Sequence, residues 1–475
     1  MKKLFFAFGF SLFAFLCSAQ YRVLHVFNGT TGGYAGFGSG SLFSDGTYLY
    51  GVTLAGGANT GISGCGSIGF GTIFKIMPNG TGFDTLTSFN STMGGNPQFS
   101  SLITDGTYLY GMTSAGNPAC GGSVFKIMPN GTGFDTLITF DCINGCSPSG
   151  SLVYDGTYLY GMTNIGSGVG AGVVFKIKPN GSNFSVLLTM DGTVGDNPYG
   201  SLIIDGGYLY GMTETAGGAS GNSFGTIFKI DTNGTGYQNL HVFNDTTGAY
   251  PYGSLLQYKD YLYGMTQGGG AYNSGVIFKI KTDGTVYDTL FSFDNTDGGN
   301  PYGSLIAIGS QLYGMTKSGG SDYEGVIFKI DTTGKGYTNL YNFKDSGTNP
   351  YGSLIFISPY LYGMTSSGGS SGNYGVIFRM DTNIATAINT VKNESEATNL
   401  YPNPNKGRFL IKVSGIGSNS FIEVYNMLGQ NIYQTKLNTG NTEINLSNQP
   451  EGIYLYRVNT MSGVLIGEGK IVIEH

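Results

Sequence analysis

A pentapeptide of the form Leu-Tyr-Gly-Met/Val-Thr recurs seven times and constrains the fold of this chain more than any other feature. The copies are spaced about 50 residues apart, a period close to that of kelch-like propeller blades. The glycines of the seven copies are Gly51, Gly111, Gly161, Gly211, Gly264, Gly314 and Gly363. A Phe-Lys-Ile motif, Phe-Arg-Met in the last copy, follows each pentapeptide, so most of the chain repeats one structural unit.

Each repeat predicts four short strands. They are centred on Ser-Leu-Ile, Tyr-Leu-Tyr-Gly-Met-Thr, Val-Ile-Phe-Lys-Ile and Leu-x-x-Phe, all rich in β-branched and aromatic residues. Asp-Gly joins strands one and two in the first four copies, and Asn-Gly or Asp-Gly joins strands three and four in the first five. These dipeptides favour the positive φ of primed hairpin turns. Each repeat is therefore an up-and-down antiparallel sheet, and radial repetition of such sheets gives a propeller.

The fourth-strand motif is displaced in one repeat. It is missing after the last Phe-Arg-Met, at residues 378–380, and stands alone at the N-terminus in residues 21–27. If this segment completes the seventh sheet, the ring closes and two open sheet edges disappear. We therefore predict an all-β fold, a seven-bladed β-propeller of four-stranded blades closed by the N-terminal strand. A linear β-solenoid is the alternative, since it needs no displaced strand.

The repeat, from Gly-Ser-Leu through Leu-Tyr-Gly-Met-Thr and Gly-Val-Ile-Phe-Lys-Ile to Leu-x-x-Phe, resembles the Gloeo/Verruco type of tandem β-propeller repeat. The resemblance covers about residues 21–380 and recurs in register. It implies a propeller of extracellular bacterial proteins, and it implies no settled activity.

Residues 1–19 have the pattern of a secretory signal peptide. A basic start at Lys2 and Lys3 precedes an apolar run over residues 4–16, and small residues follow before Gln20. Cys17 raises a lipoprotein alternative, but the bulky residues before it favour cleavage after Ala19. Beyond this segment no apolar run is long enough for a transmembrane helix. We assign residues 20–381 to the propeller.

The charge balance argues against two kinds of partner, nucleic acids and anionic membrane surfaces. Charged residues make up 11% of the chain, and the formal net charge is −6. A nucleic-acid partner needs a basic footprint, and an anionic membrane surface attracts basic segments. We therefore expect neither.

Four cysteines follow the signal segment, and an even number in an exported chain predicts disulfides. Cys65 and Cys120 lie in equivalent loops of adjacent blades, whereas Cys142 and Cys146 share one loop. We expect the pairs Cys65–Cys120 and Cys142–Cys146. A zinc site built from all four thiolates is the alternative, which the oxidising compartment and the lack of Cys-x-x-Cys spacing disfavour.

One face of the predicted propeller carries the long connections, and binding residues usually lie on loops held by a rigid scaffold. Tyrosines recur there at equivalent positions, and aromatic rings around a channel mouth can stack on sugars or contact a protein. The candidate ligand-binding residues are Tyr199, Tyr252, Tyr302 and Tyr351 in the four–one loops, and Tyr272, Tyr323 and Tyr374 in the two–three loops. The alternative is that the Pro-Tyr-Gly tyrosines fill space near the crowded axis.

Asp and Asn residues such as Asp294 and Asp297 gather in the same loops, where oxygen ligands could hold calcium. Such residues are also common in ordinary turns, and no copy has an EF-hand pattern, so we assign no cofactor or metal. The recurring lysines of strand three are expected to pack their stems between blades and to reach a carboxylate or solvent. The sequence shows no catalytic motif, and His25 and His241 occupy equivalent structural positions.

The period ends after Met380, and residues 382–398 form a polar linker. Residues 399–475 then alternate in the manner of a small β-sandwich. This segment resembles the C-terminal sorting domain of the type IX secretion system of Bacteroidetes. The resemblance rests on Tyr401-Pro402-Asn403-Pro404 with Gly407, Val424-Tyr425-Asn426, Gly429-Gln430, Leu446-Ser447, Gly452-Ile453-Tyr454 and Gly469-Lys470-Ile471-Val472. It implies handling by the type IX machinery, translocation across the outer membrane and removal of the domain. An ordinary substrate-binding β-sandwich is the alternative.

These features together predict a secreted or cell-surface binding protein that engages a glycan or protein ligand through its loop-rich face. The alternatives are an extracellular polysaccharide-active enzyme that uses the Asp-rich loops, and a purely structural surface-layer component.

Overall fold

Every regular element in the described part of the chain is a β-strand. The structure is a computed structural model. It describes residues 21–33, 40–59, 69–115, 121–166, 171–215, 224–369, 372–382, 398–413, 420–426, 431–437, 440–460 and 465–474. The chain divides into two compact units, Met1–Ile384 and Ala385–His475. The predicted signal peptide lies outside the described residues. Among those that are described, no helix has the length and apolarity to cross a membrane.

The first unit consists of β1 (Tyr21–Val26) followed by seven runs of strands that correspond to the sequence repeats. Runs one to three are β2 (Phe43–Ser44), β3 (Leu49–Thr53), β4 (Thr72–Ile76), β5 (Asp84–Ser88); β6 (Ile103–Thr104), β7 (Leu109–Thr113), β8 (Ser123–Ile127), β9 (Asp135–Thr139); and β10 (Cys146–Tyr154), β11 (Leu159–Ile165), β12 (Val173–Ile177), β13 (Ser185–Thr189). Runs four and five are β14 (Ile203–Asp205), β15 (Tyr208–Thr213), β16 (Thr226–Asp231), β17 (Gln238–Val242); and β18 (Leu256–Tyr258), β19 (Tyr261–Thr266), β20 (Val276–Lys281), β21 (Tyr287–Ser292). Runs six and seven are β22 (Ile306–Ile308), β23 (Gln311–Thr316), β24 (Val326–Asp331), β25 (Thr338–Asn342); and β26 (Ile355–Ile357), β27 (Tyr360–Met364), β28 (Val376–Asp381).

Each of the first six runs forms a four-stranded antiparallel sheet in chain order. The seventh run supplies three strands, and its sheet is completed by β1, which pairs antiparallel with β28. The register places Tyr21 opposite Met380 and Val26 opposite Val376. The prediction that the N-terminal segment supplies the outer strand of blade seven is confirmed.

Contacts between blades seven and one close the ring. The Ser353 backbone N–H of blade seven donates to the Ser41 hydroxyl of blade one at 2.9 Å. Phe27, fully buried, shares one apolar core with Phe74 of blade one and Ile377 of blade seven. The unit is therefore a closed seven-bladed propeller rather than the linear solenoid.

The recurring motifs match one packing requirement inside each blade. A Cβ atom on Gly51 would lie only 2.4 Å from the ring of Phe74 in the neighbouring strand. The same contact recurs in the other blades, for example between Gly111 and Phe125. The glycine of the pentapeptide thus leaves room for the phenylalanine of strand three. A buried aromatic ring contributes about 2 kcal/mol through the hydrophobic effect.

The tight turns differ from the primed hairpins that the dipeptides predict. At Asn79-Gly80 only the glycine has a positive φ, of 92°, and the Asn79 side chain accepts the backbone N–H of Thr81 at 2.9 Å. A type I′ turn needs positive φ at both central residues. Two such residues do connect β14 and β15, where Gly206 and Gly207 have φ of 56° and 85°.

The second unit is built from two antiparallel sheets around its own core. Its strands are β29 (Thr398–Tyr401), β30 (Arg408–Val413), β31 (Ser420–Tyr425), β32 (Asn431–Leu437), β33 (Gly440–Asn445), β34 (Gly452–Thr460) and β35 (Leu465–Ile473). The sheet orders are β29-β30-β33 and β32-β31-β34-β35. Residues from both sheets, among them Phe409, Ile422 and Val458, form one buried cluster, as the predicted β-sandwich requires.

Candidate functional site

A ring of serines lines the axis of the propeller. In six blades the backbone N–H of one serine donates to the hydroxyl of the equivalent serine in the next blade, at 2.7–2.9 Å. The serines are Ser41, Ser101, Ser151, Ser201, Ser254, Ser304 and Ser353. These hydrogen bonds join neighbouring blades where their first strands begin.

The residue before each serine must be small. A Cβ on Gly253 would lie 2.3 Å from the carbonyl oxygen of Gly303 in the next blade, and a Cβ on Gly303 would lie 2.2 Å from that of Gly352. Side chains cannot enter this position without moving the backbone of the adjacent blade. The Gly-Ser pair thus allows the blades to approach closely around the axis.

The Gly-Ser ring encloses a central channel along the axis of the propeller. Four of the predicted tyrosines converge at one end of this channel. The ring centroids of Tyr199 and Tyr252 are 4.8 Å apart, those of Tyr252 and Tyr302 are 4.6 Å apart, and those of Tyr302 and Tyr351 are 4.9 Å apart. Successive rings are tilted by 38–58°. They border a cavity of about 70 Å³ whose wall is the Gly-Ser ring. We call this group, together with Phe99, the tyrosine mouth.

Phe99 of blade two also belongs to the mouth. Its ring lies 5.4 Å from that of Tyr199 and 6.0 Å from that of Tyr252. Its backbone has a φ of 50°, a strained conformation for a bulky residue. Two residues before the ring serine, Phe99 occupies the position that tyrosine has in other blades. An extra residue in Pro-Gln-Phe-Ser-Ser interrupts the Pro-Tyr-Gly-Ser pattern, so the motif alone does not predict this residue.

Two charged residues, Glu214 and Lys317, contact the aromatic rings from outside the cavity lining. The Tyr252 hydroxyl donates to the Glu214 carboxylate. Burial raises the pKa of Glu214, and burial followed by the hydrogen bond to Glu214 raises that of Tyr252. The Lys317 ammonium lies 5.3 Å from the ring centre of Tyr302 and 5.0 Å from that of Tyr351. The mouth therefore combines stacking surfaces with a carboxylate and an ammonium group.

The polar residues come from one position, directly after the threonine that ends each pentapeptide. Side-chain amides of the four–one loops hold this segment, since Asn197 donates to the Asn164 carbonyl at 3.2 Å and Asn300 to the Gln267 carbonyl at 3.0 Å. The repeat pattern does not indicate this position, because its residue changes from blade to blade.

The three two–three loop tyrosines lie away from the tyrosine mouth. Tyr272 is 63% exposed and Tyr323 is 76% exposed, and neither borders the cavity. Tyr374 packs beside the core between blades one and seven, near the backbone of Gly33. The structure thus groups four of the seven predicted tyrosines.

Other candidate groups have structural contacts. Lys75, Lys126 and Lys279 form ion pairs of 3.4–3.7 Å with aspartates of strand four. Each ammonium also lies near the ring of a tyrosine at the start of strand two or directly before it. The expectation that these lysines reach a carboxylate is met. Asp294 accepts N–H groups of its own turn from Thr296 and Asp297.

The predicted Cys142–Cys146 disulfide is not formed in the structure, where both residues are free thiols. Cys142 has a φ of 64° and its N–H donates to the Gly145 carbonyl at 3.1 Å, so a tight turn sets the position of its side chain. Burial, followed by the neighbouring Cys142 thiol, raises the pKa of Cys146 to about 12. Cys65 and Cys120 lie outside the described residues, and so does their predicted bond.

Known family models match part of the first unit and nearly all of the described second unit. Residues 11–224 match the Gloeobacter/Verrucomicrobia repeat, and residues 399–474 match a secretion system C-terminal sorting domain. The chain is thus a tandem-repeat β-propeller that carries an export domain. The sorting domain assigns it to the type IX route, which delivers proteins to the outer cell surface. No curated protein sequence matches the chain.

Solved structures with similar architecture are distant in sequence. PorZ, an essential bacterial surface component of the type IX secretion system of Porphyromonas gingivalis, is 13% identical with a TM-score of 0.46, and the match covers 91% of this chain and 59% of PorZ. The chain thus spans about three fifths of the length of PorZ. An oligogalacturonate lyase in complex with manganese is 11% identical (TM-score 0.52, covering 76% and 93%). A fungal alcohol oxidase of the AA5 family in complex with copper is 12% identical (TM-score 0.50, covering 96% and 99%). At this identity the likeness concerns the fold alone.

Proposed function

We propose that this chain is a secreted or cell-surface binding protein whose tyrosine mouth engages a glycan or protein ligand. The observation that carries the proposal is the convergence of Tyr199, Tyr252, Tyr302 and Tyr351 with Phe99 on one cavity. Exported and displayed outside the cell, such a surface meets extracellular ligands directly.

The geometry of the rings supports binding. Tyr199, Tyr252 and Tyr302 are half-buried, so each keeps part of its face exposed while its neighbours fix its orientation. Rigid aromatic side chains lose little conformational entropy on binding, and their hydroxyls add directional hydrogen bonds. The cavity of about 70 Å³ is small beside typical small-molecule pockets of about 300–1,000 Å³. A ligand therefore presents one end or one edge to the mouth rather than entering the channel whole.

The export route is part of the same proposal. Residues 1–19 direct the chain across the inner membrane as a signal peptide, and residues 399–475 engage the type IX machinery at the outer membrane. Outside the cell, the propeller is the part of the chain that binds the extracellular ligand.

The proposal is tested by measuring the binding of the purified full-length chain to an array of glycans and to a set of immobilised extracellular proteins. The variant Tyr252→Ala/Tyr302→Ala should lose at least about tenfold in affinity for the ligand that the wild type selects, since each anchoring aromatic contributes about 1–2 kcal/mol. The matched control is Tyr272→Ala/Tyr323→Ala, which removes two exposed tyrosines from the same two blades. Failure of the wild type to bind any probe, or equal loss in the control, contradicts the proposal.

A further inference from the structure

The position after the pentapeptide threonine is exceptional within an otherwise repetitive chain. The threonine itself is present and fully buried in all seven blades. The residue that follows is of six different types in the seven blades. It is Asn164, Glu214, Gln267 and Lys317 in blades three to six, and Leu54, Ser114 and Ser366 in the other three. The threonine is the same in every blade because it packs in the same buried environment. The residue after it varies, so packing inside the blades does not determine its type.

This position contacts the tyrosine mouth. The Glu214 carboxylate of blade four accepts a hydrogen bond from the hydroxyl of Tyr252 in blade five, and the Asn164 side chain of blade three lies near the Tyr199 hydroxyl of blade four. Lys317 of blade six lies over Tyr351 of blade seven and over Tyr302 of its own blade. Residues at this position therefore decide what a ligand meets beside the aromatic rings.

The two charged members of this set are not equivalent. The Glu214 carboxylate is half-buried and holds the Tyr252 hydroxyl. Lys317 forms no ion pair with any described residue, although its ammonium is held above two tyrosine rings. An ammonium fixed in this way and lacking a protein anion is ready to bind an anionic group of a ligand.

We infer that the tyrosine mouth binds a sugar ring that carries one carboxylate, as in a uronic-acid unit at the end of a glycan. This inference rests on the proposed function of the mouth. The carboxylate pairs with Lys317, the apolar face of the ring stacks on the tyrosines, and hydroxyl groups donate to Glu214 and Asn164.

Two features favour an acidic sugar over other anionic ligands. Carboxylate and amide side chains beside an aromatic surface match the several hydroxyls of a sugar ring, each of which both donates and accepts hydrogen bonds. Lys317 offers one positive charge to the mouth, which suits a ligand with one charged group. A long polyanion would be repelled by the remainder of the molecule, because the chain has a net charge of −6.

The test is calorimetric titration of the full-length chain with trigalacturonate, with the matching neutral galactose trisaccharide and with polyglutamate as an acidic peptide. Lys317→Gln should weaken trigalacturonate binding about tenfold, the value of one charge-assisted contact, and Lys317→Arg should retain it. The matched control is Lys335→Gln, which removes an exposed lysine from a three–four turn of the same blade. Melting temperatures of all variants show whether each remains folded.

The outcomes separate this inference from the proposed function. If the neutral sugar binds as well as trigalacturonate, depends on Tyr252 and Tyr302 and is unaffected by Lys317→Gln, the mouth remains the binding site and the acidic class is wrong. Equal weakening by Lys335→Gln would reveal general charge attraction and overturn the inference. Lys317-dependent binding of polyglutamate alone would make the ligand an acidic peptide, which also overturns it, as does the absence of binding to all three probes.

Discussion

The wall of the central channel and its mouth are built by opposite rules. In the wall, every blade supplies a serine at the same place, and six blades supply the same glycine before it. A few ångströms away, the mouth has tyrosines in four blades, a phenylalanine in one and a serine in another, Ser149. The residue after the pentapeptide threonine varies still more.

The difference between wall and mouth indicates which positions of a repeat protein can take on a binding role. Wall residues meet copies of themselves, so a change in one blade conflicts with its neighbour, as the distance of 2.3 Å between a Cβ on Gly253 and the Gly303 carbonyl oxygen indicates. Mouth residues face the open end of the channel and are free to differ. Variation among repeats of one chain thus marks binding positions without any second sequence. We expect changes in the wall to lower stability and changes in the mouth to leave it nearly intact.

The largest loss of stability is expected from a change where blade seven meets blade one, because the channel wall and the tyrosine mouth both depend on a closed ring. Phe27→Ala removes a fully buried ring that packs at 5.3 Å from Phe74, and it should lower the free energy of unfolding by about 3–5 kcal/mol. Phe356→Ala, in the same sheet but 38% exposed, is the control and should cost far less. Denaturant titration measures both. Equal costs would mean that β1 is not needed to hold blade seven to blade one.

The wall comes next. Gly253→Ala places a methyl group against the Gly303 carbonyl and should destabilise the chain by about 3 kcal/mol, because the contact is with backbone rather than with a movable side chain. The adjacent mouth variant Tyr252→Ala is the comparison and should cost less, since that side chain is half-buried. Melting temperatures measured side by side check this order. If Tyr252→Ala proved the more damaging, the tyrosines would be packing residues first, which is the alternative that the sequence left open.

A smaller effect is expected from a single link of the serine ring. Ser304→Ala removes the acceptor for the Ser254 N–H, at 2.7 Å, and should cost about 1–2 kcal/mol because a half-buried donor loses its partner. Ser310→Ala, on the exposed one–two turn of the same blade, is the matched control. Chemical denaturation of the two variants gives the difference. No difference between them would show that the ring is held by backbone packing alone.

The smallest effect concerns the charge of Glu214 in the mouth. Burial raises its pKa above the ordinary value of 4.5, so the folded state keeps this proton to a higher pH than the unfolded state does. Its contribution to stability is therefore largest at low pH and falls as the pH rises from about 4.5 through the folded pKa. Glu214→Gln lacks this contribution. The free energy of unfolding of the variant minus that of the wild type should increase with pH across this window, and a difference that stays constant would contradict the assignment.

The fold of the propeller could be predicted well from the sequence, because the motifs that form its strands and turns recur in seven repeats. The displaced fourth strand and the strand order within each blade follow from the register of the repeats, and the structure agrees with them. Turn geometry was predicted less well. Asn-Gly and Asp-Gly indicate where the chain reverses, but the backbone of Asn79 does not have a positive φ. Its side chain stabilises the turn by accepting a hydrogen bond from the Thr81 N–H.

The candidate site was predicted only in part. Register places Tyr199, Tyr252, Tyr302 and Tyr351 at equivalent points around one axis, so their convergence follows from the ring. Register cannot give the direction of a long loop, and Tyr272 and Tyr323 extend into solvent instead. Glu214 and Lys317 could not be predicted from the repeat pattern, because the residue at their position differs from blade to blade. The free state of Cys142 and Cys146 depends on local turn geometry, which their spacing does not reveal.

The pairing of Tyr21 with Met380 has a consequence for how the propeller matures. The first strand of the propeller, β1, pairs with its last strand, β28, so a chain that ends before β28 cannot form this pair. Contacts of such wide sequence separation form slowly, since loop closure must precede them. The sheet of blade seven is thus complete only when the whole repeat array has been made, and a copy that ends before β28 has no partner strand for β1.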